Sequence, residues 1–288
     1  AIKDSSTFPP RTKTMALSPE IPMLQHVWDY IRDGNENMLA SPLFYQLIHL
    51  LIYLMISLAI TAIELVDCSI IRKYKIQQNK RVEWKDVMDV AAMFASSFHW
   101  TIVFIALMYV VVRTYSVPNL APSFTELALH TAILLFIYDT VYGTFHLLCH
   151  KIKWLYRWCH SVHHKYDTPF ALSGMIVHPF EAFFLVSLIT ALPFLFDAHP
   201  LKVITFQTAV AVITIEGHIG YDFPFLLHRI LPFYSGAPSH DMHHSRPVTG
   251  YQPFFNYWDR LFGTHVPRGQ LLEMRAKMYG AKAEKKSD

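Results

Sequence analysis

The chain has 288 residues, of which 52% are hydrophobic and only 16% are charged, and its formal net charge is +3. This composition excludes an ordinary soluble domain, in which about 25% of residues are charged. The small net charge and the lack of a basic stripe interleaved with aromatic residues exclude a nucleic-acid-binding protein. A composition this apolar is typical of a protein that spans a membrane.

Residues 1–42 start with a polar, proline-containing stretch and continue with an amphipathic segment at 24–31, which predicts a helix on the membrane surface. Three apolar segments follow, at 43–66, 88–112 and 127–145. A helix of about 20 residues crosses a hydrocarbon core about 30 Å thick. Each segment is therefore predicted to be a transmembrane helix.

The next apolar region differs, because residues 182–196 and 201–215 hold only 15 residues each. A helix of that length spans about 22 Å and is too short for a full crossing. The sequence Asp197-Ala198-His199-Pro200 separates the two segments. The pattern predicts a tilted or re-entrant helical hairpin over 182–215, which returns the chain to the side that it left.

The flanking charges predict the orientation. The link between the first two spans carries six basic residues, whereas residues 114–124 carry none. By the positive-inside rule the basic link is cytosolic, so the N-terminus is lumenal and the C-terminus cytosolic. The chain ends Lys285-Lys286-Ser287-Asp288, which resembles the dilysine retrieval signal of proteins in the endoplasmic reticulum membrane.

Eight histidines are concentrated in one HxxxH and two HxxHH sequences. In a chain with 17 histidines one HxxxH is expected by chance, but a given HxxHH only about 0.06 times. Residues at i, i+3 and i+4 share a helical face, so each cluster is predicted to point its imidazoles in one direction. The clusters comprise His146 and His150, then His160, His163 and His164, and finally His240, His243 and His244.

Three such faces supply more nitrogen ligands than one metal ion needs, which predicts a site for two ions. Neutral imidazole suits iron, copper, zinc and nickel. The lack of cysteine pairs or of a carboxylate-rich set argues against structural zinc or calcium. Eight histidines leave two ions short of nitrogen, so His218, at the exit of the hairpin, is predicted as a ninth ligand.

Two further polar residues are candidates beside these ligands. Asp139 shares a helical face with His146 but lies two turns away, about 10 Å. It is predicted to orient another imidazole as a hydrogen-bond acceptor or to polarise the pocket. His178 stands at the foot of the hairpin, where it is either a ligand or a histidine that starts the helix.

The histidine pattern resembles that of the membrane-bound fatty-acid hydroxylase and sterol desaturase superfamily. Nucleotide-binding glycine motifs and a GxSxG nucleophile elbow are missing from the sequence. The resemblance covers about residues 24–264 and includes sequences around the clusters. These are residues 72–77 (RKYKIQ), 154–157 (WLYR), 170–172 (FAL), 218–224 (HIGYDFP) and 258–264 (WDRLFGT).

The resemblance implies an all-α integral membrane protein, with a transmembrane helical bundle, the short hairpin and a cytosolic helical cap that holds the histidine-rich dimetal site. It implies two iron ions per chain, O2 as a substrate, and electrons that come from NAD(P)H through a separate electron-transfer protein. No side chain beyond the metal centre need act as a catalyst. Thr214 occupies a position where some relatives place a histidine or asparagine near the metal.

Within the superfamily the chain is most similar to the branch that hydroxylates the cholesterol side chain at C25. Two other enzymatic readings use the same centre, oxidation of a sterol C4-methyl group and hydroxylation of a fatty acyl chain. A histidine-rich metal transporter or a non-catalytic metal-binding protein is the alternative from another class.

The predicted organisation has four parts. Residues 1–42 form the lumenal lead-in and surface helix, and residues 43–145 form three transmembrane helices. Residues 146–264 form the catalytic region, and residues 265–288 form a cytosolic tail.

Overall fold

The computed structural model describes residues 23–111 and 114–279. This part of the chain is helical, with two isolated β-bridges and no strand, so the predicted all-α fold is confirmed for it. The α-helices are α1 (Met23–Arg32), α2 (Glu36–Leu39), α3 (Pro42–Val66), α4 (Ser69–Arg72), α5 (Trp84–Val111), α6 (Phe124–Lys151), α7 (Lys153–Trp158), α8 (Pro179–Leu195), α9 (Pro200–His218), α10 (Gly236–Ser245), α11 (Tyr257–Leu261) and α12 (Arg268–Tyr279). Short 3-10 helices cover His160–Lys165, Ala171–Met175 and Leu227–Arg229.

Among the described residues, α3 and α6 are the two helices long and apolar enough to cross a membrane. They have 25 and 28 residues, which correspond to about 38 and 42 Å. Pro42 sets the backbone angle of the first turn of α3, and Ser123 and Glu126 cap each other's backbone amides at the start of α6. The predicted spans at 43–66 and 127–145 are therefore confirmed as helices.

The second predicted span, 88–112, coincides with α5, which has 28 residues. The helix is confirmed as far as residue 111, and its crossing of a membrane stays a prediction. Residues 1–22, with most of the predicted lead-in, lie outside the described part of the chain. So do residues 280–288, which include the dilysine sequence.

The predicted hairpin is present as α8 and α9, which have 17 and 19 residues. Asp197 adopts a left-handed conformation with φ of 45°, which turns the chain after α8. His199 Nδ1 accepts a hydrogen bond of 3.1 Å from the Leu201 amide, and Pro200 begins α9. These local signals reverse the chain within four residues.

α9 lies in the middle of the bundle, where it packs against α3, α6 and α10. Val203, Phe206 and Ala211 on this helix are completely shielded from solvent. A helix that is apolar all round is typical of the core of a bundle or of a membrane span. The position of α9 therefore explains why its sequence shows no amphipathic pattern.

The two ends of the bundle differ in character. At one end Trp28 Nε1 donates to the Pro118 carbonyl at 2.9 Å, and its ring contacts His199 in the hairpin turn. At the other end the basic link between α3 and α5 reaches α10, where the Gln77 side chain donates to Asp241 at 3.1 Å. The histidine clusters lie at this second end.

Candidate metal centre

Nine histidines meet at the end of the bundle that carries the basic link. α6 contributes the HxxxH pair from its last two turns, and the first 3-10 helix and α10 each contribute one HxxHH triplet. The last residue of α9 is His218. Because the α8–α9 hairpin returns the chain to this end, clusters far apart in sequence come together.

The donor atoms form two groups, and within each group they all lie within 4.8 Å of one another. Set A comprises His146, His150, His160, His164 and His243. Set B comprises His163, His218, His240 and His244. The nine predicted ligands are thus the nine residues that converge, in two groups of a size that suits two ions.

Each HxxHH triplet is divided between the two sets. Its first and third histidines belong to one set and its second histidine to the other. The prediction that each triplet points in one direction is therefore wrong. Successive helical residues diverge by about 100° around the axis. The rings of His243 and His244 accordingly stand at 90° with their centroids 6.2 Å apart, which lets neighbours reach different ions.

Within each set the Nε2 atoms converge. In set A, His150 Nε2 lies 3.2 Å from the Nε2 atoms of both His146 and His164. In set B, the Nε2 atoms of His218 and His240 are 3.0 Å apart. Two nitrogens bound at about 2.1 Å to one ion, at angles near 90–110°, are separated by roughly 3.0–3.4 Å. The observed separations match that spacing.

Five of the nine imidazoles donate a hydrogen bond from Nδ1 to a backbone carbonyl. Because the donating nitrogen carries the ring proton, the Nε2 of each of these rings is a bare lone pair. The pairs of ring and carbonyl are His146 with Tyr251, His163 with Ile176, His218 with Thr214, His243 with Thr249, and His244 with Tyr166.

The pair of His163 and His218 tests whether a metal fits. Their Nε2 atoms face each other at 3.5 Å, although both rings carry their proton on Nδ1. Two buried lone pairs in this arrangement repel unless a cation lies between them. The Nε2 atoms of His160 and His243 are also buried without a hydrogen-bond partner among the described residues. The donor set therefore fits metal ions.

The neutral charge state of these histidines also suits metal binding. Burial lowers the pKa of His163 to about 4 and the pKa of His243 to about 3. Both imidazoles are therefore neutral near pH 7, and the neutral form is the one that binds a transition metal.

Glu181 is a functional candidate that the sequence patterns did not predict. Its Oε1 accepts a hydrogen bond of 2.9 Å from His160 Nδ1, and both side chains are completely buried. A carboxylate behind a metal-binding imidazole orients the ring and increases its basicity. The available signal was an acidic residue, directly after Pro179-Phe180, in the first turn of an otherwise apolar helix.

Asp139, predicted to act beside the ligands, is bonded to other groups. Its carboxylate accepts hydrogen bonds from the Gln252 side chain at 2.8 Å and from the Phe254 amide at 3.0 Å. The structure thus places Asp139 where it fixes the segment after Tyr251, whose carbonyl accepts from His146. Any effect on the imidazoles passes through that segment.

His178 and Thr214 occupy different positions around the centre. His178 Nδ1 accepts a hydrogen bond of 3.2 Å from the Phe180 amide, so it caps the start of α8, and it belongs to neither set. This position matches the helix-start alternative. The backbone carbonyl of Thr214 accepts from His218, and its side chain lines a cavity.

The cavity adjoins set B and has a volume of about 220 Å³. Side chains of α3, α5, α6, α8 and α9 line it, and most of them are apolar. Gly174 lines the cavity and lies against set B, because a Cβ there would be 2.5 Å from the Tyr53 hydroxyl and 3.0 Å from His218 Nδ1. Apolar walls next to the imidazoles suit a hydrophobic ligand.

Two polar side chains on α3 interrupt the apolar lining. His49 Nδ1 lies 3.0 Å from the Gln207 carbonyl, which leaves Nε2 of that ring as the acceptor. The Tyr53 hydroxyl is buried and has no hydrogen-bond partner among the described residues. A buried hydroxyl without a partner is costly unless a ligand supplies one.

The arrangement defines a class of helical proteins whose candidate metal ligands are all histidines. The chain belongs to the fatty acid hydroxylase family, whose model matches residues 131–264, the range that contains all nine histidines. The superfamily predicted from the histidine clusters is therefore confirmed.

Similar proteins extend the match to most of the chain. A cholesterol 25-hydroxylase-like protein of Caenorhabditis briggsae is 43% identical over 88% of this chain and 85% of its own length. A protein of the same description from Caenorhabditis elegans is 41% identical over 91% of this chain and 90% of its own. The cholesterol 25-hydroxylase of Homo sapiens is 30% identical over 84% of this chain and 90% of its own. No solved structure matches the chain.

These relatives and the two apolar helices support a membrane-associated hydroxylase that acts on a lipid or sterol.

Proposed function

We propose that this protein is a membrane monooxygenase that hydroxylates the cholesterol side chain at C25 with two iron ions per chain. The observation that carries the proposal is the convergence of nine imidazoles in two sets, with an apolar cavity whose lining residues Gly174 and Thr214 lie against His218 of set B. The match to relatives named cholesterol 25-hydroxylase supports a sterol as the substrate.

The two irons would be held by sets A and B through the Nε2 atoms. When bound, they supply the redox chemistry that activates O2, which no amino-acid side chain can supply. Nitrogen ligands of neutral imidazole type suit iron, and zinc lacks the redox states that the reaction needs. The backbone carbonyls behind five of the rings hold each imidazole in the tautomer and direction required.

The cavity would bind the hydrocarbon part of the lipid and exclude water from the reacting C–H bond. The reaction replaces one C–H bond with C–OH, and the second oxygen atom of O2 leaves as water with two electrons and two protons. The buried Tyr53 hydroxyl, which has no hydrogen-bond partner among the described residues, would hydrogen-bond the new hydroxyl group of the product. His49 would offer a second polar contact one helical turn before Tyr53 on α3.

The electrons are proposed to come from a separate redox protein fed by NAD(P)H, since the sequence contains no dinucleotide-binding fingerprint. The chain is proposed to cross the membrane of the endoplasmic reticulum several times, with the metal centre and the C-terminus on the cytosolic side. The basic link contacts α10 beside set B, which supports a cytosolic position for the centre.

Metal analysis of the purified protein tests the centre. About two irons per chain, with Mössbauer signals of two iron sites, is the expected result. One zinc and no iron would overturn the proposal. Zinc uptake by proteoliposomes without oxygen consumption would instead identify a metal transporter.

Product analysis tests the substrate. Proteoliposomes that contain the iron-loaded protein, a reductase system and O2 are incubated with cholesterol, 4-methyl sterols or fatty acids in parallel. We expect a cholesterol product hydroxylated on the side chain. Oxidation of a C4-methyl group alone, or of an acyl chain alone, would replace the sterol side-chain assignment with that reaction.

A further inference from the structure

The imidazoles of the centre differ in what holds their second nitrogen. Five rings donate from Nδ1 to an uncharged backbone carbonyl, and two of these rings belong to set A. His160, also in set A, is the ring among the nine whose Nδ1 donates to a carboxylate. The two sets therefore differ in the charge behind their ligands as well as in ligand number.

Glu181 and His160 form a pair from which solvent is excluded. Each side chain has 0% exposure, and the second oxygen of Glu181 is buried without a hydrogen-bond partner among the described residues. Buried charges act strongly on their surroundings because little water screens them. Among the nine imidazoles, His160 is the one that hydrogen-bonds to Glu181, whereas His163 of set B, which also lies near this carboxylate, donates from Nδ1 to the Ile176 carbonyl.

His160 can pass this charge to a metal ion through its ring. Its Nε2 is buried without a partner and belongs to the donor atoms of set A. With Nε2 as the ligand, the proton stays on Nδ1 and points at Glu181. A carboxylate acceptor at that proton increases the electron density on Nε2, which strengthens its bond to a metal ion and favours the higher oxidation state.

We propose that Glu181 is a positioning residue that makes the two metal ions inequivalent, because it gives the ion in set A tighter binding and a lower reduction potential. The inference rests on the proposed two-metal centre but not on the identity of the substrate. Glu181 acts through His160 and does not itself contact a metal ion or the lipid.

The substitution Glu181→Gln separates charge from position. Glutamine has nearly the same shape, and its side-chain oxygen still accepts from His160 Nδ1, but the negative charge is lost. We expect the variant to bind one of its two irons about 10-fold more weakly, the lower end of the usual effect for such partners. The reduction potential of that iron should increase, while the other iron keeps its affinity and potential.

Two further variants complete the test. Glu181→Asp keeps the charge at a longer distance and should recover part of the lost affinity, which also keeps the test usable if Glu181→Gln fails to fold. Glu64→Gln is the control, since Glu64 is another buried carboxylate, but it pairs with Lys75 and not with an imidazole. The control should leave both irons unchanged. The readouts are iron affinity by competition with a chelator and midpoint potentials followed by Mössbauer spectroscopy.

The outcomes separate this inference from the proposed function. Unchanged affinities and potentials in Glu181→Gln, or equal changes at both irons, would overturn the role of Glu181 alone. Two irons in the wild-type protein without any hydroxylation would overturn the proposed reaction but leave the role of Glu181 open to the same measurements. Fewer than two metal ions in the wild-type protein would overturn both.

Discussion

At the scale of single residues, adjacent histidines in one triplet serve different sets. His243 belongs to set A and His244 to set B. We expect His243→Ala and His244→Ala each to lower the iron content by about one ion per chain, with the loss of a different Mössbauer signal in each variant. The reason is that each substitution removes one nitrogen from one set only. Loss of the same signal in both variants would contradict the division.

Another residue-scale feature is the charge cluster around Asp222, outside the metal centre. His228 Nε2 and the Arg229 guanidinium each lie 2.8 Å from Asp222. Burial alone would lower the pKa of His228, but its hydrogen bonds to Asp222 and Glu216 outweigh burial and raise the pKa. Burial raises the pKa of Asp222, yet His228 and Arg229 outweigh this and lower it.

The signs of these shifts predict how the cluster stabilises the protein at each pH. The contribution of His228 is fully present below its ordinary pKa of about 6.5 and is lost as the pH rises through the raised value. The contribution of Asp222 is lost as the pH falls through its lowered pKa. We expect His228→Gln to reduce the thermal unfolding temperature at pH 5.5 more than at pH 9. An equal reduction at both pH values would contradict this.

The nine converging histidines could be predicted because repeated clusters are improbable by chance and because the hairpin brings them to one end. Glu181 could not be predicted, since a single carboxylate has no repeat and its partner His160 lies in another element. The division of the triplets could not be predicted either. Shared helical faces show which residues are neighbours, but the packing of the three clusters against one another decides which imidazoles converge.

At the scale of elements, the segment after Tyr251 is held on α6 by a small set of contacts. Gly143 lets it approach, because a Cβ at this position would lie 2.4 Å from Gln252 Oε1. The Asp139 carboxylate then accepts from the Gln252 side chain at 2.8 Å. This anchoring positions the Tyr251 carbonyl that holds His146.

The substitution Asp139→Leu should loosen this segment. It leaves the backbone amides of Phe254 and Phe255 without their acceptor, at a cost of about 1–3 kcal/mol for each buried donor, while the Gln252 side chain keeps its bond to the residue-139 carbonyl. We expect a lower unfolding temperature and weaker iron binding in set A, measured by thermal unfolding and chelator competition. Thr144→Ala is the control, because the hydroxyl of this exposed residue on the same helix donates to the Thr140 carbonyl within α6 and not to the segment after Tyr251 in the described part of the chain. Iron binding at the wild-type level in Asp139→Leu would contradict the link between the segment and His146.

Helices could be predicted where an apolar segment has the length of a helix and is followed by residues that end it. Asp197-Ala198-His199-Pro200 marked the hairpin turn, and the structure forms the turn there with a left-handed residue and a proline start. The 3-10 helix at His160–Lys165 was not predictable, because its bonds depend on packing against neighbouring elements rather than on local residue preference.

At the scale of the whole molecule, long apolar segments predicted the bundle, because composition alone sets how much surface must avoid water. Which helix occupies the centre did not follow from composition. α9 is less apolar than α3 by its sequence, yet it is the helix that packs against α3, α6 and α10 at the centre of the bundle. Its short length and its return to the metal centre place it there.

The cavity between these helices has a kinetic consequence. Its walls come from α3, α5, α6, α8 and α9, which include both candidate membrane helices. A lipid that enters it would come from the bilayer and not from the aqueous phase. The reaction rate would therefore depend on the concentration of sterol within the membrane. In proteoliposomes with a fixed amount of enzyme and cholesterol, added phospholipid should lower the initial rate in proportion to the mole fraction of cholesterol. A rate set by the amount of sterol per volume of buffer, whatever the phospholipid content, would contradict this route. If the rate follows the mole fraction, the activity of the protein reports the density of sterol in its own membrane.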